Sequence, residues 1–344
     1  MFRILPRAFW SQVFEKKKTS CSPLALTEDA RAEVFARTTR VIEGCFANCA
    51  VSLYGSAAYG MALPGSDLDI CVSGPLESAT PWHDLAPHLQ KMVGSNGSVQ
   101  VIASSKIPVV KVRDPVYGYS IDVTFGHQPL DSVKLIKKWD ADMDRLKPLV
   151  LIVKYLLQQR CLNLPYTGGL SSFCVVVMVR HFLCTLRLQK KAKLNEQSPL
   201  GPLLLGFLRY FGPRFDYQQC GVCADGHLVS KDETGLVNDV FVVLNPLETR
   251  AVNCASSAFR MADVVTMFAV VDEQLRSAVC LDLEGPDAPF PSALSAVIWP
   301  DEAIAQRRQR IKDVVRARQR NRSGKGPKKT LKIDPENRLQ NMLA

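Results

Sequence analysis

Apolar and polar positions change their period several times along the chain, and each change marks an element. Val51 to Tyr54 is an apolar run of strand length, and Gly55-Ser56 turns it into a short helix predicted over Ala57 to Met61. From Asp67 to Val72 the sequence alternates with period two. Leu68, Ile70 and Val72 therefore face a core, while Asp67 and Asp69 share the opposite strand face. Tyr119 to Phe125 repeats the pattern, with Ile121 and Val123 inward and Asp122 on the other side. Two later apolar runs stop at charge, Leu149 to Val153 at Lys154 and Phe173 to Val179 at Arg180-His181. Neither is long enough to span a membrane, so the chain is expected to be soluble with no membrane partner. On the helix that carries Lys154, Gln158 falls one turn later on the same face.

The polar positions on these elements carry the chemistry. Two carboxylates as close as Asp67 and Asp69 must repel each other or share a cation. With Asp122 as a third, they form a donor set able to hold two metals about 3.5–4 Å apart for in-line phosphoryl transfer. The Gly55-Ser56 turn opens a helix start whose free N–H groups suit phosphate oxygens. An isolated Asp-x-Asp pair is commonplace at strand ends. Here it follows a Gly-Ser turn at short range and precedes a strand aspartate 53 residues on, a combination that points to nucleotidyl transfer.

These residues resemble the DNA polymerase β nucleotidyltransferase superfamily. Asp144 to Tyr155 and Tyr166 to Phe173 narrow the likeness to terminal uridylyltransferases and their poly(A) polymerase relatives, and Leu244-Asn245-Pro246-Leu247-Glu248 with Asn253 resembles that branch's nucleotide-recognition motif. The likeness spans roughly residues 40 to 270. Within the branch the chain most resembles the short mitochondrial, editosome-associated uridylyltransferases of kinetoplastids, and it lacks room between Asp69 and Asp122 for the insertion that larger members carry.

The resemblance implies roles. Asp67, Asp69 and Asp122 are implied as catalytic metal ligands for two Mg²⁺ or Mn²⁺ ions, with Asp122 completing the metal that touches the RNA 3′ hydroxyl. Gly55, Ser56 and Ser66 are implied to hold phosphate oxygens, and Lys154 to reach in from a second domain. Gln158 replaces a lysine common in relatives, which weakens triphosphate binding unless a cation such as Arg160 compensates. Ser172 is implied to bind nucleotide, and Phe173, standing where relatives place tyrosine, to stack on the base. Ser132 stands for their asparagine, and Asn245, Glu248 and Arg250 are the candidates for reading uracil, which offers an N3–H donor and an O4 acceptor.

Charge adds a question of placement. The formal net charge is +10, and residues 301–344 hold 13 Lys or Arg against 5 Asp or Glu, so the surplus is concentrated in the tail. Arg307 to Arg322 has helical composition, followed by a flexible basic segment from Ser323 to Lys329. Two readings stand side by side: attraction to RNA phosphates, or a helix packed across two domains. The first 20 residues set Arg3, Arg7 and Lys16-Lys17-Lys18 against the single acid Glu15, which reads as a mitochondrial transit segment or as an N-terminal helix. The 11 cysteines are scattered through apolar segments as buried thiols, and Cys220, Cys223 and His227 supply three of the four ligands that structural zinc requires.

The expected fold is α+β: a polymerase β-like nucleotidyltransferase domain with a mixed sheet at 25–140, a mainly helical nucleotide-recognition domain at 141–300, and a nucleotide cleft between them. Residues 1–24 form the transit segment or helix, and 301–344 the basic helix and tail. The expected activity is template-independent transfer of UMP from UTP to an RNA 3′ hydroxyl, with an RNA-editing or RNA-processing complex as the setting. The alternatives are a mitochondrial poly(A) polymerase using ATP, and an inactive nucleotidyltransferase-like RNA-binding subunit.

Overall fold

The computed structural model describes residues 23–104, 107–126, 130–189, 194–280 and 293–322. The expected N-terminal transit segment and the basic stretch after Arg322 lie outside the described residues. Among the described residues no helix is long and apolar enough to cross a membrane.

The first half is built on five strands, β1 (Ala50–Tyr54), β2 (Leu68–Ser73), β3 (Ser98–Ile102), β4 (Val109–Arg113) and β5 (Ser120–Phe125), ordered β1-β2-β5-β4-β3. Only β2 and β5 run parallel, so the sheet is mixed, as the sequence suggested. Period-two alternation decides its faces. Leu68, Ile70, Val72, Val110, Val112, Ile121 and Val123 are all buried and join one core with α1 (Pro23–Cys45) and α3 (Pro81–Val93). The opposite face keeps Asp69, Asp122 and Lys111.

The second half is mainly helical: α4 (Leu130–Asp142), α5 (Leu146–Gln158), α6 (Ser172–Leu188), α7 (Leu200–Arg209) and α9 (Met261–Cys280). A small sheet, β7 (Leu228–Ser230), β6 (Cys220–Val222) and β8 (Val242–Val243), sits beside them, and α8 (Lys231–Thr234) follows β7. Along α5 every residue from Leu149 to Leu157 except Tyr155 is buried, which explains the near-continuous apolar run. Ser171 caps α6 by accepting a bond from the Cys174 amide at 3.1 Å.

Packing crosses the expected boundaries at 140 and 300. Ile136, Trp139 and Met143 of the α4 region belong to the helical core, and so do Tyr59, Met61 and Leu63 from the loop after the first strand. In the other direction, helix α10 (Glu302–Arg322) returns to the first core, where Ile311 and Val315 are 1% and 8% exposed. Arg310 donates to the Pro115 carbonyl at 2.7 Å, Arg307 to the Gly118 carbonyl, and Arg318 pairs with Glu33 and reaches the Tyr117 hydroxyl at 3.1 Å. Before α10, the Trp299 carbonyl accepts from Gln159 and Tyr155 of the helical half. The last described helix is therefore a strap from the second core back to the first, the packed alternative of the two sequence readings.

Candidate active site

Strand register assembles the carboxylates. Tyr54 pairs with Asp69 across β1 and β2, and Asp69 pairs with Asp122 across β2 and β5. Neighbouring strands lie about 4.8 Å apart, so the two aspartates stand side by side. Asp67 precedes β2 at its exposed lip and accepts a hydrogen bond from Ser120. Helix α2 forms over Gly55–Ala58, earlier than the Ala57–Met61 span expected, because Gly55 takes φ +65° and starts the turn at once. A Cβ on Gly55 would overlap the Asp69 carboxylate. Glycine is thus needed twice, for its backbone and for the close approach of Asp69. Gly55→Ala is expected to lower turnover about 100-fold by displacing Asp69, on the scale of a 1 Å misplacement, with the melting temperature a few degrees lower; steady-state kinetics and thermal denaturation check it.

The electrostatics follow from that crowding. Burial first, then the charges of Asp122 and Asp67, push the Asp69 carboxyl up to about 7, against the pull of Lys154 and Lys111. Desolvation and then Asp122 also raise Asp67. Lys111, opposite Asp122 in the β4–β5 register, donates to its carboxylate at 2.7 Å. This lysine was missed in the sequence. Its Val-Val-Lys-Val-Arg alternation was visible, but its partner depends on which strand lies next to β5. Among the described residues no three Asp, Glu, His or Cys side chains gather into a formed metal cage. The chemistry of the donors nevertheless suits a hard divalent cation: Asp69 and Asp122 stand side by side with Asp67 at the lip of the strand, and Asp122 already holds an ammonium. A cation bound by Asp67, Asp69 and Asp122 competes with Lys111 for the Asp122 carboxylate.

The other expected residues are placed unevenly. Lys154 is buried at 5% exposure and donates to the Met61 carbonyl at 2.8 Å; burial first, and then Arg31, push its ammonium down to about 7, while Asp69 pulls it back up. It comes from the second half, as expected, but it lies beneath the site. Gln158 lies beside Gly65, and its Oε1 is buried without a hydrogen-bond partner. Arg160 cannot compensate for it: its guanidinium donates to the Val297 and Leu156 carbonyls and stacks 5.0 Å from the Trp299 ring centroid. Ser56 is buried, and the Ser66 hydroxyl accepts from the Leu63 amide at 2.9 Å, so it shapes the turn before Asp67.

Ser172 and Phe173 open α6 half-buried, and Phe173 packs against the helical core. Ser132 lies in the first turn of α4, past the C-terminal end of β5 from Asp122; its chain neighbours Asp131 and Lys134, but not Ser132 itself, line a cavity with Ser73, Gly74 and Gly126. Asn245 spends its Oδ1 on the Leu247 amide in a turn at 3.1 Å, while Glu248 and Arg250 are exposed. Asn253, grouped by sequence with the recognition motif, is a structural clip. It accepts from the amides of Val243 and Ala255 and donates to Asp239 and the Phe241 carbonyl.

Comparison with known proteins decides the family. Residues 11–139 match the model of the "Poly(A) RNA polymerase, mitochondrial-like, central palm domain", and residues 199–249 match that of the Cid1 family poly A polymerases. The chain belongs to the Cid1-type family of poly(A) RNA polymerase-like nucleotidyltransferases. It is 32% identical over 216 residues to Poly(A) RNA polymerase protein 2 of Saccharomyces cerevisiae, covering 60% of this chain and 36% of that protein. It is 30% identical over 282 residues to Poly(A) RNA polymerase cid14 of Schizosaccharomyces pombe, covering 76% and 41%. The chain thus spans about two fifths of those relatives. Among solved structures, the Cid1 poly(U) polymerase superposes with a TM-score of 0.65 at 21% identity, over 83% of this chain and 97% of that one. That nucleotidyltransferase branch and its α+β fold are those read from the sequence.

Proposed function

We propose that this protein is a template-independent RNA 3′-terminal nucleotidyltransferase, carried above all by one observation: Asp69 and Asp122 face each other in register, with Asp67 at the lip and Gly55 closed over them. Divalent cations held by these carboxylates would lower the pKa of the RNA 3′ hydroxyl and neutralise charge on the leaving pyrophosphate. Gly55 keeps the turn against Asp69. Lys154, anchored on Met61, supplies positive charge from below, and Lys111 holds Asp122 in place until a stronger cation takes it.

Uridylyl transfer is the reading supported by Glu248, able to accept from uracil N3–H, and Arg250, able to donate to O4, and the likeness to short mitochondrial uridylyltransferases belongs with it. Adenylyl transfer is the second reading, favoured because the curated relatives described above are named poly(A) RNA polymerases. The basic, acid-poor first 20 residues support a mitochondrial location, and an RNA-processing complex is the proposed setting. Incubating labelled RNA with each nucleoside triphosphate in turn, resolved to one nucleotide, tests the proposal. Extension with UTP alone supports the first reading, extension with ATP alone the second, and no extension with any nucleotide overturns both.

Gln158 gives a further expectation. Gln158→Lys places a cation beside Gly65 and should lower the Michaelis constants for UTP and ATP alike, several-fold, because phosphate contacts ignore the base. An unchanged constant for both nucleotides separates Gln158 from the triphosphate.

A further inference from the structure

Two guanidiniums, Arg113 and Arg307, lie near Asp67 on the β4 side of the sheet, and a third, Arg31, stands close to Arg307 and donates to the Leu63 carbonyl. Arg113 lies opposite Ser120 in the β4–β5 register and donates to its hydroxyl at 3.1 Å, and Ser120 in turn bonds to Asp67. Arg307 of α10 stacks 4.6 Å from the Tyr119 ring centroid, and Arg31 of α1 lies 5.5 Å from the same centroid. Arg307 feels the like charges of both Arg113 and Arg31. Among the described residues no carboxylate forms an ion pair with any of them; Glu28 and Asp67 act only at longer range. The Nε atoms of Arg31 and Arg307 are buried without partners, whereas Arg113 is exposed to an arriving ligand. Like charges held together in a partly desolvated place are costly, and a bound anion offsets that cost.

Sheet order identifies the anion. The turn expected to take triphosphate, Gly55-Ser56, follows β1, and in the order β1-β2-β5-β4 it is three strand spacings from Arg113, about 14 Å. Asp122 on β5 lies diagonally across from Arg113, whose direct partner is Ser120, and so about 7–8 Å away. An anion at Arg113 therefore lies on the side of the site where the RNA hydroxyl is proposed to be activated, away from the incoming nucleotide. We propose that Arg113 and Arg307, backed by Arg31, form a subsite for a backbone phosphodiester of the RNA strand just upstream of its 3′ end. This rests on the reading of the protein as an RNA 3′-terminal nucleotidyltransferase.

Arg113 is the residue to change, because it is exposed and Arg307 also anchors α10. Binding of a fluorescein-labelled 15-nucleotide RNA is measured by anisotropy across a series of KCl concentrations, with a parallel set of RNAs carrying one neutral methylphosphonate at successive linkages from the 3′ end. Arg113→Gln should weaken binding about tenfold at low salt and reduce the slope of log affinity against log salt by about one, while Arg113→Lys keeps the slope. One methylphosphonate position should weaken the wild type yet cost Arg113→Gln little more. The nucleotide Michaelis constant should stay within twofold. Wild-type affinity and slope in Arg113→Gln overturn the subsite while leaving the transferase reading intact. A raised nucleotide constant with unchanged RNA affinity also overturns it, moving the cluster to the triphosphate. A wild type that extends no RNA removes the underlying reading, and the subsite with it.

Discussion

Asp69→Asn and Asp122→Asn are expected to reduce nucleotide transfer by about 10³-fold or more without unfolding the protein, and Asp69→Asn is expected to melt higher than wild type at pH 8. Loss of transfer follows from removing a ligand whose geometry is set by strand register. The gain in stability follows from the same crowding. The Asp69 carboxyl stands near 7 in the folded protein, above its ordinary 3.8, because it is buried beside Asp122 and Asp67. Between those two values the folded state binds the proton that the unfolded state releases, so stability falls as pH rises from about 4 to 7, and the whole penalty is present above 7. Asparagine carries no such penalty. The advantage should be a few degrees at pH 8, shrink as pH falls and vanish below about 4. Transfer within tenfold of wild type by either variant would overturn the assignment of these carboxylates as metal ligands. A lower melting temperature for Asp69→Asn at pH 8 counts against the crowding argument alone.

Loss of α10 should have the second large effect. Truncation after Pro300 removes Ile311 and Val315 from the first core, along with the bonds from Arg307, Arg310 and Arg318 to Gly118, Pro115 and Glu33. The expected product melts at least 10 °C lower, or fails to accumulate in folded form, and salt does not rescue it. Ile311→Asp isolates the packing, since a carboxylate at a 1% exposed position costs roughly 3–5 kcal/mol by lost burial and desolvation. Truncation after Arg322 removes only the basic segment beyond the helix and should leave the melting temperature unchanged. A fully stable truncation at Pro300 contradicts the strap.

Much of the site was legible because strand alternation is local and its period leaves little choice. Once Leu68, Ile70, Ile121 and Val123 are assigned inward, the aspartates must share the other face, and the structure places them so. Gly55 was legible as a turn, but not as the residue that makes room for Asp69, because that contact joins two strands. Lys111 was invisible for the same reason: its partner is fixed by the non-consecutive order β5-β4. The fate of α10 could not be decided, because a helix rich in arginine suits either RNA or a protein surface. Its apolar residues Ile311, Val314 and Val315 become informative only when a core is present to receive them. Lys154 was legible as a charge within an apolar helix, yet nothing local signalled that the Met61 carbonyl would claim it.

The strap also dictates an order of events during synthesis. The apolar surface that α1 and the β4–β5 turn present to Ile311 and Val315 is complete once Phe125 has been made, yet its cover lies about 190 residues further along the chain. At roughly 5–20 residues per second, that surface waits some 10–40 s uncovered on the ribosome. Through that interval the nascent chain holds all three aspartates without the helix that steadies the turn leading into Asp122, and chaperones have a defined window and a defined patch to occupy.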